Sequence, residues 1–117
     1  MDKEKLNETE ELSPIVVDFT EMTSEDGTVS ESWLLTFGLA LKWIMPALFQ
    51  GNSIPVSIRG NQSQVQNFAN VLSKEKRYLQ SWKNYGLDNP RTYRNKSLLN
   101  SAIAKFERST NIKWPFK

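Results

Sequence analysis

The hydrophobic positions of the chain are concentrated in one long run, residues 33–49, which reads WLLTFGLALKWIMPALF. Ser30 or Ser32 can cap a helix through this run, and Glu31 lies where a helix N-terminus favours negative charge. The polar residues of the run do not gather on one side of a helical wheel, and a helix that is apolar all round is buried in protein or in lipid. The pattern therefore predicts a central helix over residues 31–50 that needs neighbours on every side, which other subunits, lipid or the two other helices of the same chain would supply.

Two short stretches on either side of the central helix have β character. Residues 15–19 hold β-branched and aromatic side chains, which favour either a short strand or an adhesive segment that docks on a partner. Residues 54–60 alternate apolar and polar side chains, and Pro55 restricts them to the start or the edge of a sheet. Two strands around a helix would form a crossover unit. Because two strands alone are marginally stable, a partner or a second copy is expected to complete the sheet.

Two further helices are predicted from apolar residues at helical spacing. The first covers about residues 63–85 and is followed by a short helical turn around residues 91–94. Ser97 is the predicted cap of the last helix. The tail, residues 112–117, contains a proline and two large aromatics, so we expect it to fold back onto the helices. The stripe of the last helix consists of Leu99, Ala102, Ile103 and Phe106.

The predicted fold class is mainly α, with about three helices, one or two short β-strands and a disordered acidic N-terminal arm. Residues 1–30 form the arm, because its first half has too few apolar side chains to offset the entropy of ordering. Residues 31–117 form a small, mainly helical domain. Within that domain, residues 31–50 are the apolar central helix, and residues 54–117 are a basic strand-helix-helix unit with an aromatic C-terminal tail.

The small net charge of +2 conceals two oppositely charged parts of the chain. Residues 1–31 hold ten acids and two bases, a net charge of −8, whereas residues 32–117 hold thirteen bases and three acids, a net charge of +10. Such asymmetry indicates a tail with its own role. The acidic arm is either a solvated tail or a segment that binds the basic part of its own chain or of a neighbour.

The composition argues against an enzyme. The chain has no Cys and no His, which excludes disulfides, thiolate or imidazole metal sites, and nucleophile–base pairs that use those residues. The acids of the basic part, Glu75, Asp88 and Glu107, are scattered along the sequence, and each has a simple structural role. No cofactor-binding or phosphate-loop motif is present, so we expect no catalytic residues, cofactor or metal.

Protein–protein interaction is the function that the apolar run favours. The residues predicted to take part are Ile15, Val17, Phe19, Trp33, Phe37, Leu41, Trp43, Leu48 and Phe49. A single-pass membrane segment is an alternative, although residues 33–49 are at the lower limit of length for a bilayer. Lys42 near their middle costs roughly 2.5–3.5 kcal/mol on insertion scales.

Nucleic-acid binding is a second alternative, because bases and aromatics are interleaved in the C-terminal half. In the competing interpretation these aromatics belong to the core and the bases form a solvated surface. The candidate nucleic-acid contacts are Lys76, Arg77, Lys83, Arg91 and Arg94.

A series of short motifs in residues 54–117 carries a resemblance to a known group of proteins. The motifs are Val56-Ser57-Ile58-Arg59-Gly60, Gln64-Val65, Phe68, Leu72, Glu75-Lys76-Arg77-Tyr78, Tyr85-Gly86-Leu87-Asp88-Asn89-Pro90-Arg91-Thr92-Tyr93, Phe106-Glu107-Arg108 and Lys113-Trp114-Pro115-Phe116. In these motifs the chain resembles small structural or assembly proteins of tailed bacteriophages. The resemblance implies a role in the virion or in head assembly, and it implies no particular binding or catalytic residues.

The sequence thus predicts a non-enzymatic assembly protein of a tailed phage that docks through its central helix and extended arm. The expected partners are other protein subunits, either further copies of the chain or virion proteins. The expected location is the virion or the host cytoplasm, with a membrane as the minority alternative.

Overall fold

The computed structural model of the chain describes residues 15–51 and 55–116. The predicted disorder of residues 1–14 and the assignment of Ile54 to a strand lie outside the described residues. The predicted fold class, three helices with two short strands, is confirmed. The elements in chain order are strand β1 (Ile15–Asp18), a 3-10 turn (Phe19–Glu21), helix α1 (Glu31–Gln50), strand β2 (Val56–Arg59), helix α2 (Gln62–Tyr85) and helix α3 (Pro90–Thr110).

The two strands, which precede and follow α1 in the sequence, pair with each other in parallel, as the strand–helix–strand pattern predicts. Ile15 lies opposite Val56 and Asp18 lies opposite Arg59 in the register of the pair. The backbone N–H of Ile15 also donates to the Pro55 carbonyl at 2.9 Å. Among the described residues the sheet contains these two strands alone. Of the two alternatives predicted for residues 15–19, the structure therefore has the strand, at Ile15–Asp18.

The described residues that precede α1, residues 15–30, belong to the folded domain, which corrects the predicted arm boundary at residue 30. Val17, Phe19 and Met22 are buried in the hydrophobic core. Asp18 caps the 3-10 turn, because its carboxylate accepts hydrogen bonds from the backbone N–H and the hydroxyl of Thr20. The sequence-based boundary gave too much weight to the acidic composition of this segment, since burial of three large apolar side chains offsets its ordering entropy.

Helix α1 is capped as predicted, but it buries only one face. The Ser30 hydroxyl accepts from the Trp33 N–H, and Gly51 ends the helix in a left-handed conformation with φ 80°. Pro46 lies inside the helix, which continues past it to Gln50. The buried residues are Phe37, Leu41, Ile44 and Ala47. They recur at the i, i+4, i+7 spacing of one helical face, so the chain itself supplies neighbours on that face alone, and the expectation that other molecules cover the remaining faces stays a prediction.

Helices α2 and α3 form a hairpin joined by a short loop at Gly86. Asn61 and Gln64 make a reciprocal capping box at the start of α2. Helix α3 begins with Pro90 in its first turn and Asn89 as its cap, whose side chain accepts from the Arg91 N–H.

The start of α3 corrects the prediction of a short turn at residues 91–94 followed by a new helix capped by Ser97. Residues 91–94 are the first turn of one continuous helix, and Ser97 lies exposed inside it. The cap at Asn89 and the proline that follows already supply a complete helix start. Thr92 strengthens this start, because its hydroxyl donates to the Gly86 carbonyl at 2.7 Å.

Aromatic rings from the 3-10 turn, the three helices and the C-terminal tail meet in the core. The ring of Phe19 lies 5.5 Å from that of Phe68, and the ring of Phe106 lies 5.5 Å from that of Trp114. Phe37 of α1 packs against both α-hairpin phenylalanines, and all five side chains are buried. The tail therefore folds back onto the helices as predicted, with Ile112 also buried.

Candidate functional site

The residues predicted to mediate protein interaction divide into three groups by burial. Four belong to the core of the chain itself and are not accessible to a partner: Val17, Phe19, Phe37 and Leu41. Three are half-buried against that core: Ile15, Trp33 and Leu48. Two are exposed: Trp43 and Phe49. Of the predicted interaction residues, the two that are exposed to a partner, Trp43 and Phe49, therefore both belong to α1.

Three large apolar side chains form an exposed row on the outer side of α1, which we call the outer ridge. Leu35 is 72% exposed, Leu39 is 58% exposed and Trp43 is 72% exposed. They are spaced four residues apart, so they lie on one face of the helix, opposite the buried Phe37 and Leu41. Folding leaves most of the surface of these three side chains in contact with solvent.

Sequence reasoning identified Trp43 but missed the two leucines of the outer ridge. The signal was present as a second apolar series, Leu35–Leu39–Trp43, offset by two residues from Phe37 and Leu41. An offset of two residues rotates the side chain by about 200°, which separates a core face from an outer face. Because apolar residues point in every direction on the helical wheel of α1, the wheel alone did not separate the core face from the outer face.

The composition of α1 also meets the requirements for a membrane span. Among the described residues, Glu31–Gln50 is the one helix long and apolar enough to cross a bilayer, and 22% of its apolar window is buried in the domain. The buried part includes Phe37 and Leu41, which pack in the aromatic core. A span formed by α1 alone would remove these side chains from that core.

The C-terminal end of α1 is already engaged by α2. The Phe49 ring lies 5.5 Å from the Trp82 ring, and the Lys83 ammonium lies 5.8 Å from the centre of the Phe49 ring. Gln80 donates to the Leu48 carbonyl at 3.3 Å. The Phe49 ring is therefore partly covered by α2. The Lys83 ammonium is directed towards α1.

Four of the five predicted nucleic-acid contacts lie along the junction of α2 and α3, which we call the basic groove. Two neighbouring cavities of about 370 and 420 Å³ form this groove. Arg91 and Arg94 line the first cavity, and Lys76 and Arg77 line the second. Lys83 lines neither of them, since it faces Phe49. The remaining lining residues are Ser73, Gln80, Ser81, Asn84, Tyr85, Pro90 and Asn95.

The groove has a fixed polar floor and no acidic wall. Ser81 and Asn95 line both cavities and are hydrogen-bonded to each other across the two helices. The Arg91 guanidinium donates to the Tyr85 hydroxyl at 2.8 Å and lies 4.8 Å from the centre of its ring. No carboxylate lines either cavity among the described residues. The arrangement presents the cationic groups of Lys76, Arg77, Arg91 and Arg94 in a lining that contains no described carboxylate.

Among the described residues, Glu75 carries the one buried carboxyl group. Glu75 is 3% exposed, and its Oε2 accepts a hydrogen bond from the Trp114 indole at 2.8 Å. Burial raises the pKa of Glu75 above its ordinary value, against the opposing effects of the indole hydrogen bond and of the Lys96 charge. Within the described part of the chain, no group of three or more acidic side chains is placed to hold a metal ion.

The comparisons with known proteins assign the chain to no group. No protein-family model matches the chain, and no curated protein or solved structure is significantly similar to it.

Proposed function

We propose that the chain is a non-enzymatic assembly subunit that associates with a second copy of itself through the outer ridge of α1. The observation that carries this proposal is the exposure of Leu35, Leu39 and Trp43 on one helical face. Contiguous exposed apolar surface of this kind marks interaction sites in soluble proteins, because leaving it in water costs about 25 cal/mol per Å².

The spacing of the ridge makes it complementary to its own copy. Leu39 is the midpoint, with Leu35 four residues before it and Trp43 four residues after it. A two-fold axis through Leu39 of two antiparallel helices places Leu35 of each copy against Trp43 of the other. Closed two-fold association needs such a self-complementary patch, and a large residue against a smaller one allows close packing.

The size of the ridge predicts a reversible association. The exposed parts of the three side chains amount to roughly 400 Å² per copy, whereas a stable interface buries about 800 Å² per partner. The ridge would then form the apolar centre, and the neighbouring Leu34 and Pro46, both exposed, would form part of the surrounding contact. We expect a dimer that dissociates on dilution, as a building unit of a larger particle would.

The resemblance to tailed-phage proteins supplies the proposed setting. In that setting the dimer is a component of the virion or of head assembly, where further subunits cover the remaining exposed surface. Purified particles of the phage that encodes the chain should contain it in multiple copies. Its absence from such particles would limit the proposal to self-association.

A cysteine placed at the proposed axis tests the arrangement, because the natural chain has no cysteine. Leu39→Cys in the full chain should form an intermolecular disulfide under mild oxidation, since side chains on a two-fold axis approach within disulfide range. The matched control is Ser101→Cys on the exposed side of α3, which should crosslink much more slowly.

Two outcomes contradict the proposed dimer. Equal crosslinking of the two variants would indicate random collision. Crosslinking of Leu39→Cys that occurs only in lipid vesicles, with loss of the aromatic core contacts, would favour the membrane alternative.

A further inference from the structure

We infer that the basic groove between α2 and α3 binds the phosphate backbone of double-stranded DNA, independently of base sequence. This inference concerns a surface separate from the outer ridge and does not depend on dimer formation. It is carried by the four cationic side chains that the hairpin brings together from distant parts of the sequence, Lys76 and Arg77 from α2 and Arg91 and Arg94 from α3.

The charge of the groove is available to a ligand. Neither cavity is lined by a carboxylate among the described residues, and Glu75, which neighbours two of the bases in sequence, is buried towards Trp114. Arginine and lysine that face solvent without a counter-charge attract polyanions, because binding releases the counterions condensed on the nucleic acid.

The length of the groove fits several phosphates. Ser81 faces Asn95 across the hairpin, so Arg91 lies about one helical turn from this pair in one direction and Arg77 lies about one turn away in the other. At 1.5 Å of rise per residue the cationic groups extend over roughly 12 Å. Each strand of duplex DNA carries one phosphate per ~3.4 Å of its axis, so three to four phosphates of one strand are within reach of the four cationic side chains.

The aromatic residues of the region favour a duplex over a single strand. The Arg91 guanidinium lies 4.8 Å from the centre of the Tyr85 ring, so one face of the aromatic ring that lines the groove is already occupied. Tyr93 is exposed, but it lies two residues from Asn95 and therefore on the opposite face of α3. Proteins that bind single strands stack bases on aromatic rings, so contact with the backbone of a duplex is the mode that this surface fits.

Fluorescence anisotropy with a labelled 25-base-pair duplex of mixed sequence tests the inference on the full chain. Binding by the wild-type protein should weaken as KCl rises, with a slope of about −3 in a plot of log K against log salt. The variant Arg77→Ala/Arg94→Ala should bind roughly tenfold or more weakly at low salt, with a shallower slope. The matched control, Lys83→Ala/Arg108→Ala, removes the same charge outside the groove and should keep most of the affinity. Circular dichroism of both variants checks that the helices are intact.

Several results would overturn the inference. Equal losses in the two double variants would show that net charge, and not the groove, attracts DNA. Tighter binding of the single strand than of the duplex would contradict the backbone mode. If DNA binds only after Glu8, Glu10 and Glu11 are changed to Gln, the ligand of the groove in the natural chain is the acidic arm and not DNA. Self-association should be unchanged in Arg77→Ala/Arg94→Ala, so failure here is distinguishable from failure of the proposed dimer.

Discussion

The indole N–H of Trp114 donates to the buried carboxyl group of Glu75 at 2.8 Å, across 39 residues of sequence. This hydrogen bond attaches the C-terminal tail to the middle of α2. The Trp114 backbone N–H donates in turn to the Glu107 carboxylate at 2.7 Å. The aromatic core is thus closed by a tail whose position depends on two acidic residues.

Loss of the Trp114 side chain should destabilise the domain strongly. Trp114→Ala removes a large ring from contact with Phe106 and Phe68, so we expect the free energy of unfolding to fall by about 3–5 kcal/mol. Phe116→Ala, at a position 43% exposed, is the control and should cost under ~0.5 kcal/mol. Urea denaturation measures both values. Similar small losses in the two variants would show that the tail is not part of the core.

Glu75 should make the stability of the wild-type chain fall as the pH rises. Its folded pKa is raised above the ordinary value of 4.5, mainly by burial, so the folded chain holds a proton that the unfolded chain releases. The contribution of Glu75 is therefore most favourable below pH 4.5, and it declines as the pH increases through the folded pKa.

The variant Glu75→Gln isolates this effect. It keeps an oxygen acceptor for the Trp114 indole but does not titrate, whereas Asp18 and Asp26, whose pKa values are lowered by hydrogen bonds from Thr20 and Thr28, titrate in both proteins. We expect the stability of Glu75→Gln relative to wild type to increase with pH above 4.5, by about 1.4 kcal/mol for each tenfold difference in the acid dissociation constant of Glu75. A difference that is independent of pH would refute the raised pKa.

The folding of residues 15–30 with the domain is tested at Phe19. Phe19→Ala should reduce the free energy of unfolding by about 3–5 kcal/mol, because the ring is 2% exposed and contacts Phe37 and Phe68. The neighbouring Val16 is 49% exposed, and Val16→Ala should change stability much less. Thermal or chemical denaturation decides between a core role and a separate arm, for which both variants would be neutral.

The start of α3 is tested by a pair of cap substitutions. Asn89→Ala removes the side chain that accepts from the Arg91 N–H and should cost about 1 kcal/mol. Ser97→Ala lies inside the helix at an exposed position, where alanine has the higher helix propensity, so stability should be unchanged or slightly increased. The reverse order of effects, measured by urea denaturation, would restore the shorter helix that the sequence predicted.

The features that the sequence predicted well are those encoded by local patterns. The stripe around Phe106 in α3, the helix predicted over about residues 63–85 and the β-branched residues of β1 and β2 each identify an element from nearby side chains. The start of α3 was harder to predict, because both Asn89 and Ser97 are residue types that can cap a helix. The sequence alone does not show whether a serine caps a helix or lies inside one.

The surfaces were harder to predict because they depend on packing between distant segments. Which face of α1 enters the core is decided by Phe68 and Phe106, which follow it in the chain. The basic groove likewise exists only because the hairpin places Ser81 beside Asn95, a pairing that no local motif specifies. The sequence therefore identified four of the groove's cationic residues without indicating that they share one surface or that Lys83 lies apart from them.

The most direct test of the proposed assembly role is sedimentation equilibrium of the full chain, without lipid or nucleic acid, over a wide range of protein concentration. We predict a reversible monomer–dimer equilibrium that is abolished by Leu39→Lys in the outer ridge. It should persist in the control Leu98→Lys, at a position 41% exposed on α3. A wild-type chain that remains monomeric at every concentration, or a Leu39→Lys variant that dimerises as well as wild type, would contradict the account.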